Sequence, residues 1–214
     1  MKALLEEALA AEGWALSPQA LEGLSHYIAE MLRWNRRMNL TALTTPEQVV
    51  EKHVVDSLHL MPLLGGTGRL LDLGSGAGFP GAALAMAMPH LEVCLVEASA
   101  KKVAFLKHVA VHGGWHPRLQ VRHLFARGQA EAEGLGGFEA VTSRAFLEVG
   151  AFVPLAKNYL KPGGKVLAML GKADTQQATL EALAAAQGCR LAELRCFRLR
   201  PSGHERALAC FEVL

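Results

Sequence analysis

Several things are scarce in this 214-residue chain, and each scarcity excludes a class. Cysteine occurs four times, at Cys94, Cys189, Cys196 and Cys210, with no CxxC pair and no histidine at zinc-finger spacing. A disulfide framework and a zinc module are therefore excluded, and the four thiols read as reduced core residues of a cytosolic protein. Charge of one sign is nearly balanced, with a formal net charge of +2, and the 51% hydrophobic to 20% charged composition excludes a disordered chain. One run, Leu73 to Leu91, is 19 residues long without a formal charge, the length of a membrane span. It holds four glycines, two prolines, Ser75 and His90, so it reads as a strand end, a loop and a short helix, and no membrane partner is expected. The opening residues carry Glu6 and Glu7 where an export signal needs apolar side chains, so a cytoplasmic protein is expected. In that compartment the sequon Asn39-Leu40-Thr41 takes no glycan.

What is present falls into two parts. At roughly 150 residues per domain, the length fits one domain with an appendage. Residues 1–64 are helical by period: Leu4, Leu5, Ala8 and Leu9 recur at helical spacing, Ser17-Pro18 starts a second helix and Thr45-Pro46-Glu47 a third. From residue 65 to 214 the pattern alternates. Strands are predicted over 69–73, 91–96, 119–122, 138–142 and 165–170. Helices are predicted over 80–88, 99–111, 147–160 and 175–187. This alternation specifies a mostly parallel sheet covered on both faces. The strand-like runs 191–199 and 207–213 have no helix between them and predict a closing antiparallel hairpin.

Charge is unevenly distributed. Residues 98–130 hold six Lys or Arg, four His and no carboxylate, and residues 190–206 hold five Arg against two Glu. Such stretches suit a polyanion, unless counter-charges elsewhere in space neutralise them. Trp34 beside Arg33, Arg36 and Arg37 offers an aromatic among cations, although at helical spacing it reads first as a core residue. Lys101 and Lys102 extend the list of candidate RNA contacts.

The chemistry concentrates in Asp72-Leu73-Gly74-Ser75-Gly76-Ala77-Gly78-Phe79-Pro80-Gly81, between the first strand and its helix. Glycines there let the backbone approach a ligand over the carboxyl edge of the sheet. A dinucleotide fingerprint needs glycine at the sixth position, where Phe79 stands, and a P-loop needs a Gly-Lys-Ser/Thr that is absent. The remaining pattern, acid-x-Gly-x-Gly-x-Gly, resembles the first motif of class I S-adenosylmethionine-dependent methyltransferases. Glu97 ends the second strand about twenty residues on, where a carboxylate can accept both ribose hydroxyls. The predicted fold is thus α/β, Rossmann-like and seven-stranded with a C-terminal antiparallel hairpin, preceded by the helical extension.

Six ordered motifs narrow the resemblance: Trp34-Asn35-Arg36-Arg37-Met38-Asn39-Leu40-Thr41, His53-Val54-Val55-Asp56-Ser57, the loop itself, Lys101-Lys102-Val103-Ala104-Phe105-Leu106, Thr142-Ser143-Arg144-Ala145-Phe146 and Glu205-Arg206. Together they resemble the glucose-inhibited division protein B family, whose members are 16S ribosomal RNA guanine-N7 methyltransferases. The resemblance implies a monomeric cytoplasmic enzyme that uses S-adenosylmethionine and acts on 16S ribosomal RNA or the small subunit, without metal. It puts cofactor contacts on Asp72, Gly74, Gly76, Gly78, Phe79, Glu97 and Arg144, and adenine contacts on Ala130 and Glu131, where Gln129 replaces the family's usual arginine. It also implies a cation after the fifth strand, here displaced to Lys172.

Guanine N7 has a free lone pair, so its methylation needs placement rather than a general base, and no catalytic base is expected. Arg144 is expected to position the base; the alternative is that it braces loops by pairing with Glu97, Glu131 or Glu148. His53 and Asp56 form a buried structural hydrogen bond in one reading and serve the RNA or cofactor pocket in the other. His108, His112 and His116 read as a basic helix end rather than a metal site. Another class of function also fits the basic stretches: a non-catalytic RNA-binding assembly factor on a methyltransferase fold.

Overall fold

A computed structural model describes residues 1–65, 68–144, 146–171 and 176–214. The glycine-rich junction around Gly66-Thr67, the start of the helix predicted from Thr175, and Lys172 lie outside the described residues. The sheet comprises β1 (Gly68–Leu73), β2 (Leu91–Glu97), β3 (Leu119–His123), β4 (Phe138–Arg144), β5 (Leu160–Leu170), β6 (Cys189–Arg198) and β7 (Glu205–Val213). Their spatial order is β3-β2-β1-β4-β5-β7-β6. Strands β1 to β5 pair in parallel, and β7 pairs antiparallel with both β5 and β6, which closes the sheet with the predicted hairpin. Successive residues of a strand face opposite sides. Leu70, Val93 and Leu95 accordingly enter one apolar core, while Leu71, Leu73, Cys94 and Val96 enter the other.

Seven α-helical segments among the described residues, all before residue 113, cover one face: α1 (Lys2–Ala11), α2 (Pro18–Met38), α3 (Pro46–Val49), α4 (Asp56–Leu58), α5 (Met61–Leu64), α6 (Gly81–Ala87) and α7 (Ala100–His112). The other face packs α8 (Val149–Lys157) and α9 (Gln177–Ala186). Ser17 caps α2 by accepting from the Ala20 N–H at 3.2 Å, as its sequence position predicted. The apolar stripe of α2 and residues of α6 and α7 share one buried cluster, so the early helices extend the sheet's own core.

Two expectations change. The third predicted helix is not uniformly α: between α3 and α4, Val50–Val55 is π-helical. A π turn takes extra residues per revolution, and a reading based on the 3.6-residue period cannot register it. Of the four cysteines, Cys94, Cys189 and Cys210 are buried, but Cys196 is exposed on β6, the edge strand. An edge strand has less to pack against, so alternation along it does not guarantee a core position.

Candidate cofactor and substrate cleft

Strand order reverses between β1 and β4, both of which run parallel with Asp72 beside Thr142. This is the switch point at which open α/β sheets bind ligands. The glycine loop leaves β1 there. The Gly74 and Ser75 N–H groups donate to the Val96 carbonyl at 2.9 and 3.0 Å, tying the loop to β2. Asp72, fully buried, accepts from the Gly81 N–H at 2.8 Å and so joins the strand to the start of α6. Its burial pushes the carboxyl pKa up to about 7. Glu97 has both oxygens occupied by backbone: Oε2 accepts from Gly76 N–H and Oε1 from Ser99 N–H, each at 2.8 Å. Carboxylate oxygens carry further lone pairs, so this brace leaves acceptor capacity for hydroxyls.

The three loop glycines, which the sequence groups together, serve different neighbours. A Cβ at Gly78 would lie 2.0 Å from the Tyr27 hydroxyl of α2. That hydroxyl donates to the Ala77 carbonyl, so Gly78 is needed by the protein's own helix. At Gly74 a Cβ would lie 2.5 Å from the Phe146 ring. Only Gly76 faces open space, its nearest neighbour being the Gly74 carbonyl at 3.9 Å, and its φ of +60° still favours glycine. The Phe79 ring is buried and stacks on His53, with centroids 4.6 Å apart. It also lies edge-on to Tyr27 at 5.6 Å, while the Arg144 guanidinium sits 5.8 Å from its centroid.

Beside the loop opens a cleft of about 720 Å³, walled by Thr41, His53, Asp56, Arg144, Phe146 and Arg206 among others. Its floor is a buried charged group. Asp56 Oδ2 lies 3.5 Å from Arg144 and 3.6 Å from Arg206, and Arg144 also donates to the Lys52 carbonyl at 2.8 Å and to His53 Nδ1 at 2.7 Å. Burial raises the Asp56 pKa against the pull of both arginines. Burial, reinforced by Arg144, lowers that of His53 to about 3, so the imidazole is neutral. Arg144 therefore stands at the end of β4 as predicted, but its carboxylate partner is Asp56 and not Glu97, Glu131 or Glu148. His53 and Asp56 do not bond to one another; both converge on Arg144. Sequence reading placed Phe146 and Arg206 in family-like motifs but gave neither a role, and the structure makes both cleft walls.

Elsewhere the outcome is mixed. Ala130 packs on the second core and Glu131 is exposed, in a turn closed by Leu135 N–H to the Ala130 carbonyl at 2.8 Å. Trp34 packs on Phe105 and His108 at centroid distances of 5.7 and 5.1 Å, which makes it a core-side residue. Contacts of Gly23 with Trp115, Glu30 with His108 and Trp34 with Phe105 show α2 and α7 running antiparallel. That register brings the last turn of α2, with Arg36 and Arg37, beside the first turn of α7, with Lys101 and Lys102. Arg33 is paired with Glu30 at 2.5 Å. Many other cations of the two basic stretches are engaged within the protein. Arg118 and Arg122 donate to backbone carbonyls, Arg190, Arg195 and Arg198 pair with Glu212, Glu193 and Glu205, and Arg200 donates to the Ala11 carbonyl. In residues 190–206 counter-charges are therefore present, whereas in 98–130 the partners of Arg118 and Arg122 are carbonyls. Among the described residues no group of three or more His, Cys, Asp or Glu could hold a metal, and no helix is long and apolar enough to cross a membrane.

The sheet order, the hairpin and the glycine loop at the switch point define a class I S-adenosylmethionine-dependent methyltransferase. The site's donor set fits that cofactor. Ser75 Oγ, Ser143 Oγ and Asp72 Oδ1 are buried and unpartnered where β1 and β4 end, so a ligand carrying amino, carboxylate and hydroxyl groups would complete them. Residues 20–201 match the family model described as rRNA small subunit methyltransferase G, and the chain belongs to that family. A relative from Myxococcus xanthus, named ribosomal RNA small subunit methyltransferase G, is 46% identical over 188 residues, 88% of this chain and 86% of the relative. A relative of the same name from Anaeromyxobacter sp. is 45% identical, covering 97% of this chain and 95% of its own. Among solved structures, the Burkholderia thailandensis 1,6-didemethyltoxoflavin-N1-methyltransferase, with S-adenosylhomocysteine bound, has a TM-score of 0.56 at 16% identity, covering 74% of this chain and 76% of its own. The B. subtilis tRNA methyltransferase TrmK has a TM-score of 0.56 at 12% identity, covering 77% of this chain and 66% of its own. These likenesses favour the enzyme over the non-catalytic assembly factor.

Proposed function

We propose that this chain, as a cytoplasmic monomer, transfers a methyl group from S-adenosylmethionine to N7 of a guanine in 16S ribosomal RNA. When bound, the cofactor supplies an electrophilic methyl group on a sulfonium. The residues expected to hold it are Asp72, Gly74, Gly76, Gly78, Phe79 and Glu97, with Ala130 and Glu131 toward the adenine and Arg144 where cofactor and base meet. Glu97 would accept from the ribose hydroxyls while keeping its hold on the Gly76 N–H. Open space at Gly76 is the feature that admits the ligand. RNA approaches along Arg36, Arg37, Lys101 and Lys102, with Arg33 contributing once it leaves Glu30.

The observation that carries the N7 reading is the state of the cleft's buried titratable groups. His53 and Asp56 are both already engaged with Arg144. His53 has its acceptor nitrogen occupied by Arg144, and Asp56 holds Arg144 and Arg206 through Oδ2 while its buried Oδ1 has no partner. N7 has no proton to give, so neither group is required as a base. The N7 lone pair would take the methyl group directly from the sulfonium, and this chain's own contribution would be placement and a charged wall. Ribosomal RNA from cells lacking the protein should lose one 7-methylguanosine of the small subunit and regain it with the purified enzyme; an unchanged nucleoside profile would reject the assignment. For the cofactor site, calorimetric titration with S-adenosylhomocysteine should show strong losses in Glu97→Ala and Gly76→Val, and unaltered affinity in both would reject it.

A further inference from the structure

The motif Asn39-Leu40-Thr41 has no use in the reading above, yet the structure holds it with care. Buried Asn35 accepts from the Thr41 N–H at 2.9 Å and donates to the Leu43 carbonyl at 3.2 Å, so the turn after α2 is clamped at both ends. The Thr41 hydroxyl oxygen lies 2.9 Å from His53 Nε2 and accepts from the Leu43 N–H at 3.2 Å. Thr41 lines the same cleft as Arg144 and Phe146.

The polarity of this chain of contacts follows from its far end. An arginine can only donate, so His53 Nδ1, 2.7 Å from Arg144, must be the acceptor nitrogen. The 3.2 Å approach of Nδ1 to the Lys52 carbonyl is then not a hydrogen bond, since both atoms are acceptors. In a neutral ring the proton is left on Nε2, which donates to Thr41. The Thr41 oxygen thus accepts from both His53 and Leu43, and a hydroxyl has two lone pairs. Its one remaining capacity is its own O–H, which has no acceptor among the described residues and stands at the cleft wall.

We propose that Thr41 selects the target base: its hydroxyl, held as a donor by Arg144 acting through His53, donates to O6 of the guanine and leaves N7 free to face the methyl group. Adenine carries an amino donor at that position, and Thr41 has no lone pair left to receive it. Thr41 is a specificity-determining residue in this account, and His53 and Arg144 are the residues that set its polarity. The inference rests on the guanine-N7 reading and adds to it which side chain recognises the base.

The test uses the full chain and unmodified 16S ribosomal RNA, with guanosine 5′-monophosphate and 2-aminopurine riboside 5′-monophosphate, which lacks O6, as competing inhibitors of methyl transfer. In the wild type the guanosine nucleotide should inhibit more strongly. Thr41→Ala should slow single-turnover transfer on the order of tenfold and erase the preference between the two inhibitors, with S-adenosylhomocysteine affinity unchanged. Thr41→Ser keeps the hydroxyl and should retain both rate and preference. A general loss of structure would weaken both inhibitors alike, so the ratio separates recognition from folding. A wild-type preference that survives in Thr41→Ala, or Ser and Ala variants that behave identically, would overturn the proposal. If the wild-type product is not 7-methylguanosine, the parent reading fails instead, whatever Thr41 does.

Discussion

Along one edge of the sheet, the ends of β1 and β4 are neighbours built in contrasting ways. At β1 the site is made of backbone: N–H groups of Gly74, Ser75, Gly76 and Gly81 are tied to the Val96 carbonyl, Glu97 and Asp72 over a span of about two dozen residues. At β4 it is made of side chains gathered from far apart, with Asp56, Arg144 and Arg206 sharing one ion cluster and His53 attached to it. A backbone site requires particular residues, chiefly glycine, at fixed local spacing. A side-chain site requires only that distant residues arrive together. The first tolerates almost no change of residue type at its close contacts, whereas the second is exposed to pH and to charge.

The sharpest way to break this contrast is Gly78→Val. The added Cβ meets the Tyr27 hydroxyl, and the strain of overpacking and of a φ of +92° should cost about 3 kcal/mol or more of stability, read by thermal or denaturant unfolding. Gly76→Ala should cost only about 1 kcal/mol of stability, because its Cβ enters open space, and should damage cofactor affinity instead. Equal unfolding losses in the two variants would mean that the loop glycines do not have the distinct neighbours described.

On the β4 side, Arg144→Ala should lower single-turnover methyl transfer roughly a hundredfold in a folded protein. Arg144→Lys should rescue little, since an ammonium cannot span Lys52, His53 and Asp56 as the planar guanidinium does. Full activity in folded Arg144→Ala would reduce the cluster to a brace.

His53 supplies a smaller effect and its sign can be worked out. Its folded pKa of about 3 is below the ordinary 6.5, so its contribution to stability is present above pH 6.5 and is lost as pH falls toward 3. Between those limits the stability advantage of wild type over His53→Gln should shrink by about 1 kcal/mol per pH unit. His59, lowered to about 4, acts in the same direction, while Asp72, raised to about 7, acts oppositely; both are common to the two proteins and cancel in the difference. A constant difference across that window would mean that His53 is not held neutral by its surroundings.

The smallest expected change is in RNA binding by the triple variant Arg33→Gln, Arg36→Gln, Arg37→Gln. With Arg33 already paired to Glu30, the log-log salt slope should fall by about 2 rather than 3, and cofactor affinity should not move. An unaltered slope would return the end of α2 to ordinary solvated surface.

The same contrast explains what could be read from the amino acids alone. Gly74, Gly76, Gly78 and Glu97 were legible because loop, strand and acid follow each other within one βαβ unit, and the alternating strand and helix periods led to the sheet and its hairpin. The ion cluster was not legible, because nothing local in Asp56, Arg144 or Arg206 states that they meet, and the π turn shifts which side chains of 50–55 share a face. Basic stretches pointed toward a polyanion, in keeping with a ribosomal RNA methyltransferase family, but not to the cations that serve it: counting Arg118, Arg190 or Arg198 along the chain says nothing of the carbonyls and carboxylates that already hold them. Grouping the loop glycines was correct about the backbone and silent about Tyr27, whose partner lies fifty residues away.

That single contact bears on modularity. Every residue of the glycine motif lies after position 70, so a chain started at residue 65 would retain the whole signature. It would lack the Tyr27 hydroxyl under Ala77 and the α2 face that closes the core behind Phe79. The helices at the front are a foundation laid before the loop is synthesised, and the cofactor site is not a cassette that can be moved to another protein by copying its motif.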